Sequence, residues 1–120
     1  MSRILIIDED VDLRHLYQRE FELEGYEAVA VGWGKESLQL LTSEKIDAVV
    51  LDFPSPDFLV RQPMQDILSR QRLVPIIINT GHGLLRHNFH CWGAAAFVVK
   101  SIDLTELKGA LAQAIAAPKA

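Results

Sequence analysis

The chain holds a single cysteine, Cys91, so no disulfide can form within it. Without cross-links it must be held by its core, and 120 residues suffice for one compact core but not for a catalytic domain joined to an output domain. Basic charge is also scarce: 12 Lys and Arg stand against 16 Asp and Glu, a net charge of −4. That balance argues against direct nucleic-acid binding, which needs clustered cations to displace phosphate counterions. No apolar run approaches the roughly 20 residues of a membrane-spanning helix. The first run, Ile4 to Ile7, is followed at once by acids, so it cannot be a signal-peptide core either. Repeats, low-complexity tracts and Pro/Gly/Ser-rich linkers are missing too. These absences lead us to expect one domain over residues 1–117, with 118–120 as a tail or the start of a linker, in a soluble cytoplasmic protein.

What is present is an apolar pattern, in a chain whose residues are 49% hydrophobic. Short runs recur at Ile4–Ile7, Ala28–Val31, Ala48–Leu51, Ile76–Ile78 and Ala96–Val99. They are continuous rather than alternating, as strands buried on both faces of a parallel sheet require. Between them lie helical spacings: Leu13, Leu16, Tyr17 and Phe21; Leu38 and Leu41; Met64, Ile67 and Leu68; Leu85, Phe89 and Trp92; Leu104, Leu107, Leu111 and Ile115. Gly25 stands where the first helix would be capped, and Asp103 with Glu106 resembles a capping box opening the last. Strands alternating with helices imply right-handed crossovers and an α/β sheet covered on both faces.

In such a sheet the ligand site lies outside the carboxyl ends of the strands. Those ends supply Asp8 and Glu9, then Asp52, then Thr80, then Lys100. Taken singly, an acid after a strand is a helix cap or a solvated turn, as Asp10 is expected to be for the first helix. Taken together, crowded carboxylates call for a divalent cation or a lysine to neutralise them, and oxygen donors suit Mg²⁺.

With these residues in their order, the chain resembles the receiver domain of two-component response regulators. The resemblance runs from Arg3-Ile4-Leu5-Ile6-Ile7-Asp8-Glu9-Asp10 through Val49-Val50-Leu51-Asp52 and Ile76-Ile77-Ile78-Asn79-Thr80-Gly81 to Phe97-Val98-Val99-Lys100, with Gly25-Tyr26 and Gly93-Ala94 also matching. It implies a flavodoxin-like (βα)5 sandwich with a five-stranded parallel sheet in the order 2-1-3-4-5. Asp52 would be the phosphoacceptor, taking a phosphoryl group from a sensor histidine kinase, a phosphotransfer protein or acetyl phosphate. Glu9, Asp52 and the backbone carbonyl of Pro54 would hold Mg²⁺ directly, and Asp8 through a water. Lys100 would pair with the phosphoryl oxygens, and Thr80 would swing to them. Phe97 stands at the family's aromatic switch position and reads equally well as a core aromatic. The face of the fourth helix, fifth strand and fifth helix would then meet a downstream protein or effector domain. Such a domain is no enzyme on other substrates; it catalyses only its own phosphorylation and dephosphorylation.

The chain also departs from that pattern. Ser101 follows Lys100 where the family has proline, and a cis Lys-Ser bond would cost about 2.5–4 kcal/mol, so a trans bond is expected. The segment after Asp52 lacks the family's glycines, and Pro63 delays the third helix to Gln62 or Pro63; Phe58, Leu59 and Val60 would pack under that loop or form a contact patch. His82 could influence the lifetime of the phosphoryl group. His87, His90 and Cys91 have a spacing that a helix could turn into a zinc site, but no fourth ligand is evident. Two rival readings stay open. One is a degenerate receiver that binds partners without phosphorylation. The other is a haloacid dehalogenase-like phosphatase with Asp8 as nucleophile, Asp10 as acid/base and Thr80 in its second motif. A flavin site is disfavoured, because the loop after the first strand is acidic and would repel a phosphate.

Overall fold

A computed structural model describes residues 1–52, 61–81 and 93–117. Five strands, β1 (Arg3–Ile7), β2 (Glu27–Val31), β3 (Ala48–Leu51), β4 (Ile76–Thr80) and β5 (Ala96–Val99), form one parallel sheet in the order β2-β1-β3-β4-β5. Four helices are described: α1 (Val11–Leu23), α2 (Lys35–Ser43), α3 (Arg61–Arg70) and α4 (Thr105–Ala116). The expected helix between β4 and β5, with its histidines, Cys91 and Trp92, falls on residues outside the described ones, as do Pro54, the Phe58–Val60 patch and the tail.

The continuous apolar runs follow from burial on both faces. Leu5, Ile7, Val49, Leu51, Ile76, Ile78 and Phe97 pack on one side with Leu41 of α2 and Met64 and Ile67 of α3. Ile4, Ile6, Val50, Ile77 and Val98 pack on the other with Tyr17 and Phe21 of α1 and Leu107 and Leu111 of α4. Each fully buried Leu or Ile contributes about 1.5–3 kcal/mol, which two such layers supply without a disulfide.

Local chemistry sets the helix ends. The Asp10 side chain accepts from the amides of Asp12 and Leu13, capping α1 as expected. Gly25, at φ 92°, closes the same helix: its N–H donates to the Glu22 carbonyl and that of Tyr26 to the Phe21 carbonyl. Helix α3 is described from Arg61, at the edge of the described residues, and it accommodates Pro63 near that end. The last helix is capped one residue later than the expected Asp103. Leu104 is the cap and makes no side-chain bond, while Asp103 accepts from the amide and hydroxyl of Thr105. No described peptide bond is cis, so Lys100-Ser101 is trans, and the Ser101 hydroxyl accepts from the Asp103 amide.

Candidate functional site

Strand register brings the sequence-predicted residues to one edge of the sheet. One step beyond the pairs Ile7–Leu51 and Leu51–Ile78, Asp8, Asp52 and Asn79 stand in a row on neighbouring strands. Because strand side chains alternate, these three and Lys100 project on the α1/α4 side, whereas Phe97 joins the α2/α3 core. Thr80 is the last residue of β4 rather than a residue beyond it, and it is fully buried.

The centre of the site is an ion cluster. The Lys100 ammonium lies 2.7 Å from Asp52 Oδ2, to which it donates, and 2.9 Å from Asp8 Oδ2. Its own strand end is fixed by its amide, which donates to the Thr80 carbonyl. Asp8, only 2% exposed, also accepts from the Asp10 amide through Oδ1. Burial pushes the Asp52 carboxyl above its ordinary range; Lys100 and a hydrogen bond from Thr80 pull it down, and Asp8 adds to the rise. For Lys100, burial would lower the pKa, but the two carboxylates together raise it. The result is a largely desolvated carboxylate beside a fixed cation, a setting suited to binding a group that carries negative charge.

Glu9 stands apart from this cluster. It is exposed, and its Oε1 accepts from the Trp33 amide at 3.0 Å. Gly32 lies beside this contact, where a Cβ would meet the Glu9 carboxylate at an ordinary 3.6 Å and the end of the flexible Arg14 side chain at 3.3 Å. The oxygen-only donor set of Asp8, Glu9 and Asp52 suits a hard divalent cation, and three carboxylates against one ammonium leave negative charge to neutralise. Its chemistry therefore fits Mg²⁺, although among the described residues no three such side chains converge at metal-ligand spacing. The fourth expected ligand, the Pro54 carbonyl, lies outside the described residues.

Sequence reasoning missed two polar groups. Asn79 reads as the residue after an apolar run, but β4 continues through it and buries it to 2%. Tyr17, equally buried, reads as one more apolar helix position, yet its hydroxyl feels Lys100, Asp8 and Asp52.

Comparisons with known proteins agree with this geometry. The response regulator receiver domain family matches residues 4–112. The transcriptional regulatory protein GlrR of Escherichia coli is 32% identical over 116 residues, covering 95% of this chain and 25% of that protein. The regulatory protein AtoC of the same organism is 27% identical over 110 residues, covering 89% and 24%. The chain thus spans about a quarter of the length of these relatives. Among solved structures, the response regulator TrrA of Thermotoga maritima, in complex with Mg²⁺-BeF, superposes with a TM-score of 0.84 at 31% identity, covering 95% of this chain and 99% of that one. TrrA in complex with the histidine kinase ThkA gives the same TM-score at 30% identity, covering 97% and 100%. Family, strand order and the Asp8–Asp52–Lys100 cluster point the same way: this chain belongs to the response regulator receiver domains of two-component signalling.

Proposed function

We propose that this domain accepts a phosphoryl group on Asp52, from a histidine kinase, a phosphotransfer protein or acetyl phosphate. The observation that carries the reading is Lys100, which holds the Asp52 carboxylate at 2.7 Å and faces the neighbouring Asp8 at 2.9 Å in a mostly buried pocket. Phosphoryl transfer needs positioning and charge neutralisation more than covalent help. Lys100 supplies both: it orients the nucleophile, and its ammonium is placed to follow the charge to the phosphoryl oxygens. Thr80 is placed to donate to the same oxygens. Glu9 and Asp52, with the Pro54 carbonyl, and Asp8 through a water, would hold Mg²⁺, which would neutralise the charge that gathers on the transferred group. Movement of Thr80 would reach Phe97 and change the face read by a downstream protein or effector domain. Domain limits of 1–117, a cytoplasmic setting and the absence of any catalysis beyond the domain's own phosphorylation and dephosphorylation belong to the same reading. Its support is family membership, together with relatives that are named as regulators and a structural neighbour seen with a histidine kinase.

Mass spectrometry after incubation with acetyl phosphate and Mg²⁺ tests it. The wild-type chain is expected to gain one phosphoryl group, and Asp52→Asn none. A label that persists in Asp52→Asn and vanishes in Asp8→Asn would restore the phosphatase reading. An unlabelled wild type would favour the degenerate receiver.

A further inference from the structure

Among the described candidate ligands, Glu9 alone is turned away from the others. Strand order places β2 and β3 on opposite flanks of β1, roughly 10 Å apart. Asp8, at the end of β1, and Asp52, at the end of β3, share Lys100. Glu9 leans the other way, past the end of β2. Its Oε1 accepts from the Trp33 amide at 3.0 Å, and both its oxygens lie 3.6 Å from where a Cβ on Gly32 would stand. The Arg14 side chain reaches the same spot, with Nη1 at 3.3 Å.

Charge accounts for this berth. Lys100 already faces two acids, so a third carboxylate brought to them without a further cation would be repelled. Beside Gly32 the same carboxylate meets a backbone donor, the Arg14 guanidinium and the approach to α2, whose N-cap is Gly34 and whose positive end favours an acid. With a divalent cation at Asp8 and Asp52 the sign reverses, and Glu9 is drawn toward the acids it had avoided. It cannot join them while its carboxylate lies against Gly32.

We propose that Glu9 is a cation-driven switch: it rests on the Trp33 amide, and it crosses β1 to join Asp52 when a divalent cation binds, freeing the turn over residues 32–34. The inference rests on Glu9 and Asp52 being the Mg²⁺ ligands of the proposed function. Its consequence reaches beyond the metal. The Trp33 side chain packs against the core under α2 and α3, and Gly34, whose amide donates to the Ser37 hydroxyl at 3.1 Å, opens α2. Cation binding alone, with no phosphoryl donor, is then expected to loosen the start of α2. The resting bond also weakens the site for the cation, since only molecules with Glu9 released are ready to bind it.

The test is a titration of the isotope-labelled chain with magnesium chloride, followed by NMR. The Asp10 amide, which donates to Asp8 Oδ1 at 2.9 Å, reports the arrival of the cation, and the Trp33 amide reports Glu9. As Asp10 shifts, the Trp33 amide proton is expected to move upfield, as a donor does on losing a carboxylate, and to exchange with water about fivefold faster. Glu9 is exposed, so Glu9→Ala should fold; in it Trp33 should start at the released position and stay there when Mg²⁺ is added. If Asp10 responds in the wild type while Trp33 keeps its shift and its exchange rate, Glu9 has not moved; the switch is overturned and the cation site stands. A Trp33 response of equal size in Glu9→Ala would not pass through Glu9 and overturns the switch as well. If neither amide responds, no cation binds there, and the metal reading falls with the switch.

Discussion

The sheet carries two ion clusters of the same make-up at its opposite ends. At the carboxyl end one cation, Lys100, serves two carboxylates, Asp52 and Asp8. At the amino end one cation, Arg3, serves Glu27 and Glu44. Charge count and strand placement are alike; burial is not. The side chains of the first cluster are 20%, 12% and 2% exposed, and those of the second 29%, 48% and 44%. Water is withheld only from the first cluster, where desolvation raises the Asp52 carboxyl and leaves it dependent on Lys100 and the Thr80 hydrogen bond.

The sharpest way to break this comparison is to remove the cation. Lys100→Ala would leave Asp8 and Asp52 buried and facing each other, and is expected to destabilise the domain by about 3 kcal/mol in urea unfolding. Adding Asp8→Asn should return most of that loss, since the repulsion goes with the charge. Phosphorylation should stay slow in both, because neither has the ammonium that the proposed mechanism brings to the transferred group. A single variant as stable as the wild type would mean that the carboxylates are better solvated than their burial indicates.

Neutralising Asp52 should have a smaller and opposite effect. The folded-state pKa of Asp52 is raised, so the native fold holds the proton more tightly than the unfolded chain does. Ionisation therefore costs stability, a cost absent at low pH that appears as pH rises through the raised value. Asp52→Asn removes it. The variant should melt above wild type at neutral pH, within about 1 kcal/mol, and the two should converge as the pH falls. A variant that melts below wild type at neutral pH would show that the Lys100 pair outweighs burial.

The contrast between the clusters also explains what could be read from the sequence. Strand cores were legible because burial on both faces admits only apolar residues, and Ile4–Ile7 and Ala48–Leu51 obey that rule. The end of β4 was not, since Asn79 and Thr80 continue a backbone ladder that does not depend on apolarity. Asp8, Asp52, Thr80 and Lys100 announced themselves by interrupting apolar runs at equivalent places. Nothing local announced the tie between the Trp33 amide and Glu9, which is made across two loops. Nor did the spacing of Asp103 and Glu106 reveal that helix α4 would begin at Thr105, with the Thr105 amide and hydroxyl engaging Asp103.

The amino-terminal cluster should respond least. Arg3→Ala removes a guanidinium that bridges Glu27, at 2.9 Å, and Glu44. The backbone remains, and with it the bond from the Arg3 amide to Asp47 at 2.7 Å and that from the Asp47 amide to the Arg3 carbonyl, which tie β1 to the start of β3. Water replaces the lost cation around carboxylates already half in solvent, so no buried charge is stranded. The thermal midpoint should stay close to wild type, and any small difference should fade in high salt as the remaining charges are screened. If Arg3→Ala lowered the midpoint as much as Lys100→Ala, exposure would not be what separates the two clusters. A merely structural tie and a reactive site would then have to be distinguished by something other than water, and the identity of the acids, Glu at one end and Asp at the other, would be the next variable to exchange.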